Sequence, residues 1–250
     1  MSKVITTRDP VVSRILANYH DPQRQISMGL KRPFFSIIKD NAWRGQRCFI
    51  LGGGPSLRGF DFERLRGERV IAVNRAFVNA DFADILFFMD SSFYKWIHND
   101  GLGKGIKKKY YEFKGYKVHL DIMIRNYPGV YTIAKIDETG VSMSLRKGIF
   151  HGNNSGFGAL NVAVCLGANP IYLLGFDMRH VKDNGRMRSH YHDGYPSRQP
   201  AGVLLNFINN FAKIAPLLRA KKIRVVNLCP SSAMRCFPKQ NINEVLNETR

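Results

Sequence analysis

The sequence predicts an α/β fold: a Rossmann-like, mostly parallel sheet with helices on both faces, plus a lid loop. Three observations predict it. Short runs such as Arg47–Leu51 (RCFIL), Ile85–Met89 (ILFFM) and Ile171–Gly175 (IYLLG) are apolar almost throughout, as strands covered on both faces are. Helical segments alternate with those runs. The first run ends in Gly52, Gly53 and Gly54. That puts a flexible turn at the carboxyl end of a strand, where open α/β sheets bind their ligands.

Residues 1–45 read as an N-terminal arm, with a short helix near Val11–Tyr19 and interruptions at Pro10, Pro22 and Pro33. Residues 46–250 read as one domain. Its strands follow at Arg47–Leu51, Val70–Val73, Ile85–Met89, Lys117–Leu120 and Val130–Lys135. Asn153–Ser155 supplies N-cap residues for a helix over Phe157–Leu166, and Gly167 closes it. Ile171–Gly175 is the next strand. Ala201–Lys221 carries a helical stripe of Leu204, Leu205, Ile208, Phe211, Ile214 and Leu218, and Arg224–Leu228 is the last strand. Arg179–Gln199 is polar and long for a connection, which suits a lid.

The composition is that of a globular chain: 250 residues, 44% hydrophobic and 23% charged. No apolar run approaches the roughly 18 residues of a membrane helix. The start, MSKVITTRDP, lacks the apolar stretch of a secretory signal, so the expected compartment is the cytoplasm. Cys48, Cys165, Cys229 and Cys236 show no metal-site spacing and read as ordinary thiols. Lys and Arg number 38 against 19 Asp and Glu, a net charge of +19 and a pI near 10.0. Such a field draws anionic partners. Lys104, Lys107, Lys108, Lys109 and Lys114 mix with Tyr110, Tyr111 and Tyr116. The mixture suits either a nucleic-acid surface or a plain solvated loop.

Several positions carry candidate chemistry. In Leu51–Leu57 (LGGGPSL), Gly52, Gly53, Gly54 and Pro55 shape a turn whose N–H groups can bind phosphate, and Ser56 adds a hydroxyl. The loop lacks the Lys and Ser/Thr of a P-loop. Leu57 stands where the dinucleotide fingerprint has its third glycine, and Asn74 where it has its acid. Asn74 can bond a base, ribose or phosphate. Asp90 ends the third strand, within reach of a metal, a ribose or an acceptor hydroxyl. Asn154, Ser155 and Gly156 form a second anion-binding turn before a helix, and Asp177 ends the strand at 171–175. The lid segment holds His180, His190, Tyr191, His192 and Tyr195. Among these, His190 suits a general base, and Tyr191 or Tyr195 can bond a departing phosphate.

GGGPSL, VNRAF, FFMD, NSG, LGANPIYLLGFD and SHYHDG, in that order over residues 46–228, resemble bacterial sialyltransferases of the lipooligosaccharide type. They equally resemble a related phage and bacterial group that includes the archaeal hydroxymethylpterin diphosphokinase. The first resemblance implies a variant Rossmann-type fold, a CMP-sugar donor, direct displacement and no essential metal. It aligns Gly52–Leu57, Asn74 and Ser155–Gly156 with donor-binding positions, and Ser189–His190–Tyr191 with the segment that carries the general base. Gly53 replaces the family's Asn. Met178 and Arg179 stand where the family has a tyrosine, and Arg179 can neutralise phosphate there. The second resemblance implies ATP and Mg²⁺ held by carboxylates such as Asp90 and Asp177.

The resulting expectation is a nucleotide-sugar-dependent glycosyltransferase that needs no cofactor. Its acceptor would be a hydroxyl on a polyanion, either phage-modified DNA or an envelope glycan. An ATP/Mg-dependent diphosphokinase and a noncatalytic nucleic-acid-binding protein are the alternatives. A homo-oligomer is compatible with any of them.

Overall fold

The protein, described by a computed structural model over residues 32–121, 127–183, 185–192 and 200–247, is built on a parallel sheet. The sheet strands are β1 (Cys48–Leu51), β2 (Arg69–Val73), β3 (Ile85–Phe88), β4 (Tyr116–Asp121), β5 (Tyr131–Ala134), β6 (Ile171–Leu174) and β9 (Val225–Asn227). They form a 7-stranded sheet in the order β5-β4-β3-β2-β1-β6-β9, every neighbouring pair parallel. Cys48 lies opposite Arg69 on one side and Ile171 on the other, so the order reverses direction at β1 and β6. The remaining two strands, β7 (Val181–Asp183) and β8 (Arg186–Arg188), make an antiparallel hairpin within the predicted lid.

Side-chain alternation divides the core into two layers. Cys48, Ile50, Ile71, Phe87, Val118, Ile171 and Leu173 pack on one face, against α3 (Ser155–Cys165) and α4 (Ala201–Ala220). Phe49, Leu51, Val70, Leu86, Phe88, Tyr172 and Leu174 pack on the other. There they meet α1 (Ser91–His98) and α2 (Ile106–Glu112), together with 3-10 turns at Phe62–Leu65 and Asn74–Val78. A last short helix, α5 (Ile242–Asn247), buries Val245 on this second face. Helices thus cover both faces of the parallel sheet, as the continuous apolar strands require.

Helix α3 is buried along its whole length, which is why small and apolar residues rather than an amphipathic stripe identify it. A Cβ at Gly158 would stand 2.8 Å from the Phe87 ring, so glycine lets the helix lie close on the sheet. Asn161 is its one amide, 3% exposed. It accepts from Ser142 N at 3.1 Å and Phe150 N at 3.0 Å, and donates to Ser142 O at 2.8 Å. One side chain therefore ties the preceding loop to the sheet.

The strands and the two long helices lie within a few residues of their predicted positions. Helices α1, α2 and α5 and the hairpin were not foreseen, being eight residues or fewer. In α4, Leu205 is exposed, and Phe207 and Ala215 face the core in its place. The arm is divided. Its residues 32–45 belong to the packed domain, where Phe34 and Trp43 are core residues and Trp43 N donates to Leu166 O at 2.7 Å. The helix expected near Val11–Tyr19 lies outside the described residues. All four cysteines are free thiols. Among the described residues no helix is long and apolar enough to cross a membrane.

Replacing Asn161 by Leu keeps the branched shape, adds bulk, and leaves Ser142 N and Phe150 N without their acceptor. Each such group costs about 1–3 kcal/mol. Urea denaturation of Asn161→Leu is expected to show a loss of about 3 kcal/mol or more, close to that of a large core truncation.

Candidate functional site

The site begins where the sheet order reverses. Leaving β1, Gly52 N donates to Leu174 O and Gly54 N to Gly175 O, both at 2.8 Å. The turn after β6 returns the contact through its carboxylate. Asp177 Oδ1 accepts from Ser56 N at 3.0 Å and Oδ2 from Ser56 Oγ at 2.7 Å. A side chain at Gly54 would overlap that carboxylate, and one at Gly52 would stand 2.7 Å from Gly175 O. Gly175 itself sits at φ +70°, a conformation that favours glycine. The glycines thus let two strand-end turns interlock. Pro55 opens the short 3-10 turn that carries Ser56.

This geometry alters two expectations. Ser56 was expected to offer its hydroxyl to a phosphate, and Asp177 to reach the nucleotide directly. Here each has the other as its partner, and Asp177 is only 2% exposed.

A second turn heads α3. Asn154 caps the helix, its Oδ1 accepting from Phe157 N at 3.0 Å, and Ser155 and Gly156 form the first turn. Asn153 is left-handed at φ 52°, and its N–H donates to His151 Nδ1 at 3.0 Å. Burial, with a smaller contribution from Lys135, lowers the His151 pKa, so the ring stays neutral and can accept. The sequence gives no sign of this histidine's role, because its partner lies two residues away in a turn.

Asn74 follows β2 at φ 51°, with Arg75 beside it. Asp90 stands at the N-cap position of α1 but makes no capping bond. Although its side chain reaches the surface, the surrounding protein desolvates the carboxyl and raises its pKa.

The segment at 189–192 comes down on the first loop. Tyr191 N donates to Gly53 O at 3.0 Å. The His190 ring lies where a Gly53 side chain would begin, with Cδ2 2.9 Å from an ideal Cβ there. Its Nδ1 is 2.9 Å from Ser189 Oγ, and its ring stacks on His192 with centroids 5.4 Å apart. Burial first, and the nearby His180 second, lower the His190 pKa. Tyr191 turns elsewhere. Its hydroxyl donates to Asn79 Oδ1 at 3.2 Å, its ring packs on Phe62, and burial pushes its pKa up to about 12. Tyr195 lies outside the described residues.

These parts surround one cleft of about 1060 Å³. Ligand sites commonly occupy about 300–1,000 Å³. Gly52, Gly53, Gly54, Asn74, Asp90, Asn154, Ser155, Gly156, Asp177 and His190 all line it. Pro55, Ser56 and Tyr191 do not belong to its lining. Three contributors were not foreseen. Trp96 comes from α1, Arg75 from the turn after β2, and a wall from α4. In that wall Asn210 donates to Glu138 Oε1 at 2.9 Å and accepts from Lys213 Nζ at 3.3 Å. Only the position of Arg75 just after β2 could have suggested it; Trp96 lies inside a helix and carried no such signal. Among the described residues no three or more His, Cys, Asp or Glu gather as a metal site would require.

The basic-aromatic cluster lies elsewhere and is largely structural. Most of it forms α2, where Tyr110 is buried. Lys107 and Lys109 donate to the His98 and Val78 carbonyls, and Lys117 lies over the Tyr110 ring. Tyr111 remains exposed.

No protein-family model and no curated protein matches the chain. Among solved structures, it is similar to the sialyltransferase CstII from Campylobacter jejuni in complex with a substrate analogue, cytidine-5'-monophosphate. The two share 18% identity over 78% of this chain and 85% of that one, with a TM-score of 0.44. A likeness that remote decides nothing about chemistry.

Two outcomes follow from the geometry. Gly54→Ala must move backbone and a buried carboxylate, whereas Gly53→Ala meets only a ring that can shift. Calorimetry should place Gly54→Ala lower by about 2 kcal/mol or more, at about 2–4 °C per kcal/mol. Acid should also weaken the fold. His151 and His190 have folded pKa values below the ordinary 6.5. Between the folded and unfolded pKa values the unfolded chain binds more protons, so stability present above pH 6.5 is lost as pH falls. Urea midpoints between pH 8 and 5 should show that slope, and His151→Gln should flatten it.

Proposed function

We propose that the protein is a nucleotide-sugar-dependent glycosyltransferase acting on a hydroxyl of a polyanionic acceptor. The observation that carries this reading is the imidazole of His190, kept neutral by burial and packed over the Gly53 backbone in the cleft. A neutral histidine accepts a proton without first losing one, as a general base must. The N-terminal turn of α3 opens into the same cleft and favours anions through its N–H groups and helix dipole.

In this reading the donor phosphate rests against the turn at 154–156 and the Gly53 backbone, since Gly52 N and Gly54 N already donate to the turn after β6, with Asn74 toward the nucleoside. His190 takes the proton of the acceptor hydroxyl. The acceptor oxygen forms a bond to the anomeric carbon, while the bond from that carbon to the phosphate oxygen breaks. The nucleotide departs with the electron pair. Asp177 and Ser56 keep the first turn in shape. Asp90 acts at the rim, where its carboxyl can accept from a sugar or acceptor hydroxyl. The net charge of +19 supports a polyanionic acceptor, DNA carrying modified hydroxyls or an envelope glycan.

Thermal-shift measurements with nucleotides and nucleotide sugars, with and without Mg²⁺, test the reading, since a ligand of the folded state raises its stability by mass action. Stabilisation by CMP, UDP or GDP species without metal is expected. Stabilisation only by ATP or AMP with Mg²⁺ would replace it with a diphosphokinase. No ligand response together with salt-sensitive DNA binding would replace it with a noncatalytic binder.

With the donor identified, His190→Ala should lower kcat by about 10²–10⁴-fold and leave nucleotide binding nearly unchanged. The wild-type kcat/KM, which reports the free protein, should fall on the acid side with a midpoint below 6.5, the ordinary histidine value. An acid limb that persists in His190→Ala would assign the base elsewhere.

A further inference from the structure

We infer that Arg75 is the residue through which the cleft holds an anionic group of its ligand, a phosphate or a carboxylate. The inference rests on the reading of the cleft as a nucleotide-sugar site and names a chemistry that site selects.

Arg75 and Asn74 are consecutive residues at the carboxyl end of β2, and both line the cleft. Among the described residues no carboxylate lies within ion-pair distance of Arg75. Among the described residues its Nε, shut off from solvent, has no acceptor, and Asn74 Oδ1, likewise shut off, has no donor. About nine in ten buried polar atoms of folded proteins have a partner. Leaving one without costs about 1–3 kcal/mol. Two such atoms on adjacent residues, on one wall of one cleft, point to partners that arrive with the ligand.

The pair specifies what the ligand brings. The amide oxygen needs an O–H or N–H, and the guanidinium needs an acceptor, preferably an anion. A hydroxyl beside a phosphate or carboxylate oxygen satisfies both. Arg179, in the turn after β6, also lines the cleft and is a second cation able to meet an anion there, whereas several other ionic groups are already engaged. Asp177 is engaged by Ser56, Glu138 by Asn210, and Lys213 by Asn210. A planar guanidinium can grip two oxygens of one anion, which an ammonium cannot. Its charge also reaches the Tyr191 phenol, so Arg75 lies near the lid segment that carries His190.

Calorimetric titration of wild type, Arg75→Gln and Arg75→Lys tests the assignment. The probes are inorganic pyrophosphate, nucleosides, their 5'-monophosphates, and UDP-glucose against UDP-glucuronic acid, which differ by a carboxylate. Nucleoside affinity should be the same in all three proteins. The gain from the anionic group should fall about 10- to 100-fold in Arg75→Gln, with partial recovery in Arg75→Lys. Loss confined to the nucleoside-to-monophosphate step assigns Arg75 to the donor phosphate. Loss confined to the glucose-to-glucuronate step assigns it to a carboxylate of the transferred sugar. Equal gains in wild type and Arg75→Gln, with matching melting temperatures, would overturn the inference and leave the glycosyltransferase reading intact. Arg75-dependent binding of pyrophosphate, with no added affinity from any nucleoside or sugar, would keep the inference and overturn that reading. Failure of the wild type to bind any probe would overturn both.

Discussion

The carboxylate of Asp177 between the turns after β1 and β6 is the contact on which the site depends. Two adjacent parallel strands end side by side, and their outgoing turns must diverge without leaving backbone groups unpaired. Here they cross. Gly54 N and Ser56 N both donate to the turn after β6, one to a carbonyl and one to Asp177. The crossing admits no side chain at Gly52 or Gly54. It also fixes the height at which Gly53 meets the lid, because Tyr191 N bonds Gly53 O. The position of His190 therefore follows from a pairing in which it takes no part. A carboxylate bound by two donors in a dry setting makes a stiffer joint than exposed hydrogen bonds would.

The second turn is fixed by a comparable device. Asn161 ties the loop around Ser142 and Phe150 to a helix that is buried on every side. That loop leads into His151, whose ring accepts from Asn153 just before the helix begins. Buried polar groups thus set the angle at which α3 presents its N-terminus to the cleft. A purely apolar contact would not specify this, since apolar packing has no direction of its own.

Legibility in the sequence followed the range of the forces involved. Runs such as CFIL and IYLL announce buried parallel strands because both of their faces are apolar, and the glycines after CFIL announce the turn. Gly52–Gly54 and Asn74 were readable from the strand-end rule, Asn154–Gly156 from the capping residues before a helix, and His190 from the polar segment that carries it. The partnership of Ser56 with Asp177 was not, because it joins residues 121 positions apart, and each alone looks like a ligand-binding group. Tyr191 misled for a related reason: the lid's course turns its phenol onto Asn79 and Phe62. The lysine-tyrosine cluster read as either a nucleic-acid surface or a solvated loop, and in neither reading was Tyr110 seen as the inner side of a short helix.

The charge balance and the low pKa of His190 belong to one electrostatic argument. Bringing an anion into the cleft places negative charge near an imidazole that burial and His180 hold neutral. By linkage, the same approach makes the ring a stronger base when ligand is present than when it is absent. The empty cleft keeps its histidine neutral and ready to accept. The loaded cleft gives the resulting imidazolium a counter-charge once the proton has moved. Arg75, which lines the same cleft, tempers the effect by neutralising part of the incoming charge. An arginine beneath the lid and a desolvated histidine within it thus act against each other on one quantity, the stability of a protonated ring beside a departing anion.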